Sequence, residues 1–221
     1  MSESGKVSIF LLDDHAVLLE GLTILINKEP DMEVCGTASD GPSAMSKLFS
    51  LKPDIIIVDL TLENSNGLDF IKCLKARYDD VRILVLTMHD ELVFAERCLK
   101  AGASGYIMKS ESPSVIIEAM RLILKGRIYL SPKMTQHVVL RAMNPKEKTD
   151  SDAVECLSDR EFQVFQYIGE GVTSKDMAAK LNLSIKTIDS VRENIKHKIG
   201  LDSAAELTKF AIKWIHADKV I

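Results

Sequence analysis

The sequence predicts an α/β fold, a doubly wound five-stranded parallel sheet, followed by a small all-α domain. Three observations lead there. Across residues 7–124 short apolar runs alternate five times with stretches of helical periodicity, and parallel strands need such crossover helices between them. From Leu157 onward every periodic stretch is helical and opens at a capping residue. Between the two parts, Asn144 to Asp152 is polar and charged, holds one Pro and has no apolar periodicity, as an interdomain linker does. The 221 residues are long for one small domain and comfortable for two. The expected division is 1–130, a partly helical linker over 131–153, and 154–221.

Each element has its own signal. Val7–Leu12 is an apolar strand, and Ala16 to Lys28 is a helix stopped at Glu29-Pro30. Met32–Ala38 forms the second strand, and Gly41 to Leu51 a helix that ends before Lys52-Pro53. Ile55–Val58 is the most apolar strand and runs into Asp59. Gly67 to Tyr78 is helical, Arg82–Leu86 is the fourth strand, and Leu92 to Ala101 a fourth helix. Gly105–Met108 completes the sheet, and Ser112-Pro113 opens a fifth helix with Pro in its first turn. Ser131 to Leu140 adds one more helix. In the last part Ser158-Asp159-Arg160-Glu161 is a capping box, and Gly171 suits the position just past that helix. Thr173 or Ser174 caps a short helix to Leu181, Ser184 a longer one ending near Gly200, and Ser203 a final one through Trp214. A short helix, a tight turn at Asn182 and a longer helix make a helix-turn-helix arrangement.

Composition narrows the class. With 46% hydrophobic residues the chain is an ordinary globular protein. No apolar stretch approaches the ~20 residues that span a bilayer, and no signal-like segment precedes the first strand. Cys35, Cys73, Cys98 and Cys156 are scattered without metal-ligand spacing, as in a reducing cytoplasm. The net charge of −4 is uneven. Residues 1–130 carry 14 Lys/Arg against 19 Asp/Glu, whereas residues 154–221 carry 10 of each. The acidity belongs to the first part, so it does not exclude nucleic-acid binding by the second.

The strand ends hold the chemistry. Asp13 and Asp14 follow the first strand, Asp59 the third, Thr87 closes the fourth and Lys109 follows the fifth. In an open parallel sheet these ends face one crevice. An Asp there can act as nucleophile toward phosphorus and form an acyl phosphate, with the transferring charge neutralised by a divalent ion and a cation. The three acids make an oxygen-rich site suited to Mg²⁺. Lys109 supplies a point charge and Thr87 a hydroxyl donor to phosphoryl oxygens. Taken singly, each of these residues is an ordinary cap, turn residue or surface charge; their joint placement points to function.

Residues 7–130 closely resemble the receiver domain of two-component response regulators. The likeness rests on Leu12-Asp13-Asp14-His15, Val58-Asp59-Leu60 with Gly67, Leu86-Thr87 and Ala101-Gly102-Ala103-Ser104-Gly105-Tyr106-Ile107-Met108-Lys109. The resemblance implies a flavodoxin-like sheet with Asp59 as phosphoacceptor. It implies Mg²⁺ on Asp14, Asp59 and the backbone carbonyl of Thr61, with Asp13 assisting through water. Thr87 and Tyr106 become the switch pair that reports phosphorylation. The chain departs from the family at Ala16, where Pro is frequent, and at Leu62-Glu63, where Met-Pro is frequent. Glu63 beside the site is expected to affect phosphate lifetime.

Residues 157–214 resemble the LuxR/FixJ-type helix-turn-helix domain. The matching motifs include Leu157-Ser158-Asp159-Arg160-Glu161, Gly171-Val172-Thr173-Ser174-Lys175-Asp176-Met177-Ala178 and Ile195-Lys196-His197-Lys198-Ile199-Gly200. The helix from about Ile185 to Lys198 would then enter the major groove of double-stranded DNA. Lys175, Lys186, Thr187, Ser190, Arg192, Asn194 and Lys198 are the expected contacts, mostly to phosphate. Where the family often has a basic residue and a His, this chain has Asp189 and Val191, and Glu193 adds another acid. Asp189–Arg192 and Glu193–Lys196 have the spacing of intrahelical ion pairs, and Trp214 with Leu207, Phe210 and Ala211 reads as core or a dimer surface. His15, His89 and His197 read as isolated, neither metal ligands nor relay residues.

The combined resemblance, of NarL/FixJ type, implies a cytoplasmic transcription regulator rather than an enzyme. A sensor histidine kinase would phosphorylate Asp59 and promote a homodimer on DNA. The alternative is a phospho-switched module whose helical part binds protein. A phosphatase of the haloacid dehalogenase type is disfavoured, since its second Asp would stand where Thr61 is.

Overall fold

The computed structural model describes residues 5–62, 65–143, 153–154 and 156–216. Glu63 and the polar stretch 144–152 lie outside them. The chain divides into two compact units between Met143 and Asn144.

The first unit is the expected sheet. Strands β1 (Val7–Leu12), β2 (Met32–Ala38), β3 (Ile55–Val58), β6 (Arg82–Thr87) and β7 (Gly105–Met108) lie in the order β2-β1-β3-β6-β7, and every pairing is parallel. The chain steps from β1 outward to β2, then returns to the other side of β1 at β3. That reversal is the topological switch point, and it sets the carboxyl ends of β1 and β3 side by side. The backbone continues the pairing past β3, with the Asp59 N–H donating to the Leu12 carbonyl at 2.9 Å. A short antiparallel pair, β4 (Thr61–Leu62) with β5 (Ser65–Asn66), follows at once; nothing in the sequence pattern announced it.

Alternation along the strands feeds two layers. Ile9, Leu11, Ile55, Ile57, Leu84, Leu86 and Ile107 pack with Leu22 and Ile26 of α1 (Ala16–Asn27) and with Ile116, Met120 and Ile123 of α5 (Pro113–Leu124). The neighbouring strand residues point to the opposite face, that of α2 (Gly41–Leu51), α3 (Gly67–Arg77) and α4 (Glu91–Lys100). Capping sets the helix starts. Asp40 accepts from the Ser43 N–H at 2.7 Å, and Asp90 from the Leu92 N–H at 2.8 Å. The outer edge of β7 is met at its start by Tyr129, whose carbonyl accepts from the Tyr106 N–H and whose N–H donates to the Ser104 carbonyl. Helix α6 (Pro132–Met143) belongs to this unit. Its Met134 is fully buried, and Arg141 pairs with Glu96 of α4 at 2.9 Å. Half of the stretch expected as linker is thus a docked helix.

The second unit holds α7 (Asp159–Gly169), α8 (Ser174–Lys180), α9 (Ile185–Ile199) and α10 (Ala204–His216). Its core gathers Phe162, Phe165 and Ile168 with Met177, Ile188, Ile195, Leu207 and Ala211. Trp214 packs edge-on against Phe162 and Phe165, so its role is core. The caps fall where the sequence places them: Ser158 in a full capping box with Glu161, Thr173 for α8 and Ser184 for α9. Asn182 turns the chain between α8 and α9 at φ 52°, and Gly200 ends α9 at φ 71°, a region open to Gly without a Cβ penalty.

Candidate functional site: an acidic crevice and a capped recognition helix

At the switch point the carboxylates converge. Lys109 Nζ lies 2.7 Å from Asp59 Oδ2 and 2.7 Å from Asp13 Oδ2. The side chains of Lys109, Asp13 and Asp59 are 9%, 5% and 2% exposed, so these are buried charges. Burial works against the ammonium, but hydrogen bonds and charge from Asp13 and Asp59 outweigh it and hold Lys109 above its ordinary pKa. Asp59 Oδ1 accepts from the Thr61 N–H at 3.2 Å. Gly67, which follows β5 and opens α3, lies against this backbone, its N–H donating to the Leu60 carbonyl; a Cβ there would overlap the Asp59 carbonyl and Leu60 Cα. Only glycine permits that approach.

The site is short of positive charge. Asp13, Asp14 and Asp59 face one ammonium. Asp14 Oδ1 is buried and makes no hydrogen bond, although His15 Nδ1 stands 2.8 Å away, out of line for one. An orphaned buried carboxylate oxygen is costly unless a cation meets it. Ligand atoms of Asp13, Asp14, His15 and Asp59 lie within 4.8 Å of one another. The oxygen-rich set fits a hard divalent ion such as Mg²⁺. His15, read from sequence as isolated, also bonds Asp13 Oδ1 through Nδ1 at 3.1 Å.

The two residues expected to form a switch pair, Thr87 and Tyr106, are both buried. Thr87 is buried at the end of β6, and Tyr106 is buried with its hydroxyl donating to the His89 carbonyl at 3.0 Å. Burial pushes the Tyr106 phenol well above its ordinary pKa, so it stays a donor. His89, read from sequence as isolated, has partners at this site. Its Nε2 is 3.1 Å from Thr61 Oγ1, and its ring packs on Phe94 with centroids 4.4 Å apart. Burial lowers its pKa; the charge of Asp59 opposes that and the charge of Lys109 adds to it. An aromatic two residues past a strand end gives no sequence signal of which way it turns.

On the helical unit the structure separates the expected contacts. Lys175, Lys186, Thr187, Ser190 and Asn194 are exposed on α8 and α9, with the Thr187 hydroxyl bonded to Ser184 Oγ and the Ser190 hydroxyl donating to the Lys186 carbonyl. Lys198 binds Glu161 Oε2 at 2.7 Å. Arg192 donates to Ser174 Oγ at 3.3 Å, rather than pairing with Asp189. Glu193 and Lys196 do pair, at 2.7 Å.

Comparison with known proteins identifies a family for each of the two units. Residues 9–121 match the response regulator receiver domain, and residues 155–211 match the bacterial regulatory proteins of the luxR family. The oxygen regulatory protein NreC of Staphylococcus epidermidis is 34% identical over 212 residues, spanning 94% of this chain and 97% of that one. NreC of Staphylococcus haemolyticus is 35% identical over the same shares. Among solved structures, a LuxR-family two-component response regulator from Aurantimonas superposes with a TM-score of 0.59 at 34% identity, covering 62% of this chain and 99% of its own. RcsB of Salmonella enterica serovar Typhimurium, solved on promoter P1flhDC with the phosphomimetic BeF3−, gives 0.68 at 23% identity over 93% and 98%, a likeness of fold. A receiver domain and a LuxR-type helical unit in one chain, matched over 94% of its length by the NreC proteins, place this protein among the two-component response regulators of the NarL/FixJ type.

Proposed function

We propose that a sensor histidine kinase phosphorylates Asp59 and that this controls specific binding of the helical unit to double-stranded DNA, and with it transcription. The carrying observation is the crevice: a buried carboxylate at the switch point, held by Lys109 and surrounded by unneutralised acid. An Asp59 oxygen attacks phosphorus, the P–N bond of the donor phosphohistidine breaks, and the phosphoryl group ends on the aspartate as an acyl phosphate. Asp14, Asp59 and the Thr61 carbonyl would hold Mg²⁺, with Asp13 assisting through water. When bound, the ion supplies charge neutralisation for the phosphoryl oxygens. Lys109 gives a second cation, and the Thr87 hydroxyl, which accepts only a long 3.5 Å contact from the His89 N–H, keeps its proton for the phosphoryl group.

The proposed readout lies two residues past Thr87, at His89. Thr87 and Tyr106 grip the same loop, through His89. A phosphoryl group that draws Thr87 in repositions the loop that starts α4, and α6 is docked on α4 through Arg141 and Glu96. That path supports release of the helical unit or formation of a homodimer on paired half-sites. Lys175, Lys186, Thr187, Ser190 and Asn194 are the proposed DNA contacts on open surface; Arg192 and Lys198, held by Ser174 and Glu161, join them at phosphate rather than at base edges. The setting is the cytoplasm. The test is intact-mass analysis after acetyl phosphate and Mg²⁺: one phosphoryl group on wild type and none on Asp59→Ala supports the reading, and equal labelling of both overturns it.

A further inference from the structure

In α9 the outward stripe runs through Lys186, Ser190, Glu193 and His197, with Asp189 on its flank, opposite the buried Ile188 and Ile195. The cations that would ordinarily read guanine from such a helix are engaged within the unit. Lys198 is held by Glu161, Arg192 by Ser174 and Lys196 by Glu193. Asp189 has no ion pair among the described residues, and Lys196 holds Glu193 through a single oxygen, Oε2. Over residues 186–194 of α9 the polar groups left facing outward, beyond Lys186, two small hydroxyls and the Asn194 amide, are the carboxylates of Asp189 and Glu193.

We propose that Asp189 and Glu193 are specificity-determining residues of α9 and select cytosine through its exocyclic amino group. The assignment rests on DNA binding by α9 as proposed above. A carboxylate only accepts hydrogen bonds. In the major groove the donors are cytosine N4 and adenine N6, and adenine sets its N7 acceptor beside N6, where a carboxylate is repelled. Guanine and thymine present acceptors alone at those edges. Cytosine is therefore the one base whose major-groove edge suits an acid. The Lys196 ammonium tempers the repulsion between Glu193 and the phosphates; its hydrogen bond and charge depress the Glu193 pKa, against a smaller effect of desolvation, and keep the group ionised. Asp189 and Glu193 are one helical turn apart, about 6 Å along the axis. That span matches roughly two base steps of B-DNA, so the two cytosines lie about that far apart.

The experiment selects duplexes from a random-sequence pool with the full chain, phosphorylated by acetyl phosphate in Mg²⁺. Wild type is compared with Asp189→Asn and Glu193→Gln, exposed changes whose folding is verified by circular dichroism. The expected wild-type motif has C·G pairs at two positions about two steps apart, each preferred by about tenfold, near the lower end of what a good base contact gives. Each variant moves one of those positions toward adenine, which an amide reads through N6 and N7, and leaves the other unchanged. A motif indifferent to cytosine overturns the proposal. So do variants that gain affinity across the whole pool with an unaltered base preference, the behaviour of acids that merely repel phosphate. If wild type enriches no duplex in either phosphorylation state, the DNA-binding reading itself fails, and the base assignment with it.

Discussion

At the scale of single residues, the crevice is a charge balance with a deficit. Asp13 and Asp59 share one ammonium, and Asp14 keeps a buried oxygen without a hydrogen bond. Mg²⁺ is therefore expected to raise the melting temperature of wild type, and Asp14→Asn to lose most of that rise, measured by thermal unfolding with and without the ion. An unchanged response in the variant would place the metal elsewhere. Asp59→Asn removes one of the clustered carboxylates and leaves Lys109 paired with Asp13; it is expected to abolish phosphoryl uptake, read by intact mass, and to gain about 1 kcal/mol in denaturant titrations from relief of like-charge repulsion. Gly67→Ala pushes a methyl group into the Asp59 carbonyl. It is expected to cost about 1–3 kcal/mol, the range for overpacking, and to slow phosphorylation by shifting Asp59. A variant with wild-type stability and rate would remove Gly67 from the site.

At the scale of elements, the cap of α7 is also the anchor of α9. Glu161 closes the capping box and receives Lys198 from the end of α9. Desolvation raises its pKa, but bonds from Lys198 and Ser158 outweigh that and hold it below its ordinary value. A depressed carboxylate contributes stability above its unfolded pKa and loses it as pH falls through the folded one. The helical unit should thus weaken below the ordinary carboxylate range, and Glu161→Gln should flatten that acid limb while losing about 1–2 kcal/mol at neutral pH, seen by denaturant titrations across pH. Lys198→Ala should cost less than ~1 kcal/mol, since Lys198 is half in solvent. Most elements were legible in the sequence because their signals are local: apolar runs, Ser158 with Glu161, Ser184, Gly200. The β4–β5 pair was not, as two-residue strands have no periodicity. Nor were the caps at Asp40 and Asp90, where many loop acids compete for the role.

At the scale of the whole molecule, two units each hold their own core, divided after Met143. Sequence composition placed the receiver boundary at residue 130, because α6 is polar enough to read as linker; its docking depends on Met134 and on an ion pair to a distant Glu96, which no local pattern reveals. A fragment ending at 143 is expected to accept phosphoryl from acetyl phosphate as the full chain does. One ending at 130 should be less stable by about 1.5–3 kcal/mol, the worth of a fully buried Met side chain. The candidate site was legible for the residues that strand ends deliver, Asp13, Asp14, Asp59, Thr87 and Lys109. His15 and His89 escaped because their roles depend on side-chain direction. For the helical unit, the sequence showed which residues lie on α9 but not which are already engaged.

The central claim is that phosphorylation of Asp59 governs DNA binding. Retention of genomic fragments by the full chain tests it most directly, with and without acetyl phosphate and Mg²⁺, alongside Asp59→Ala. The account predicts a discrete inverted repeat, retained more strongly with the phosphodonor by wild type and unchanged in the variant. Equal retention in all four conditions, with phosphorylation confirmed by mass, would contradict it.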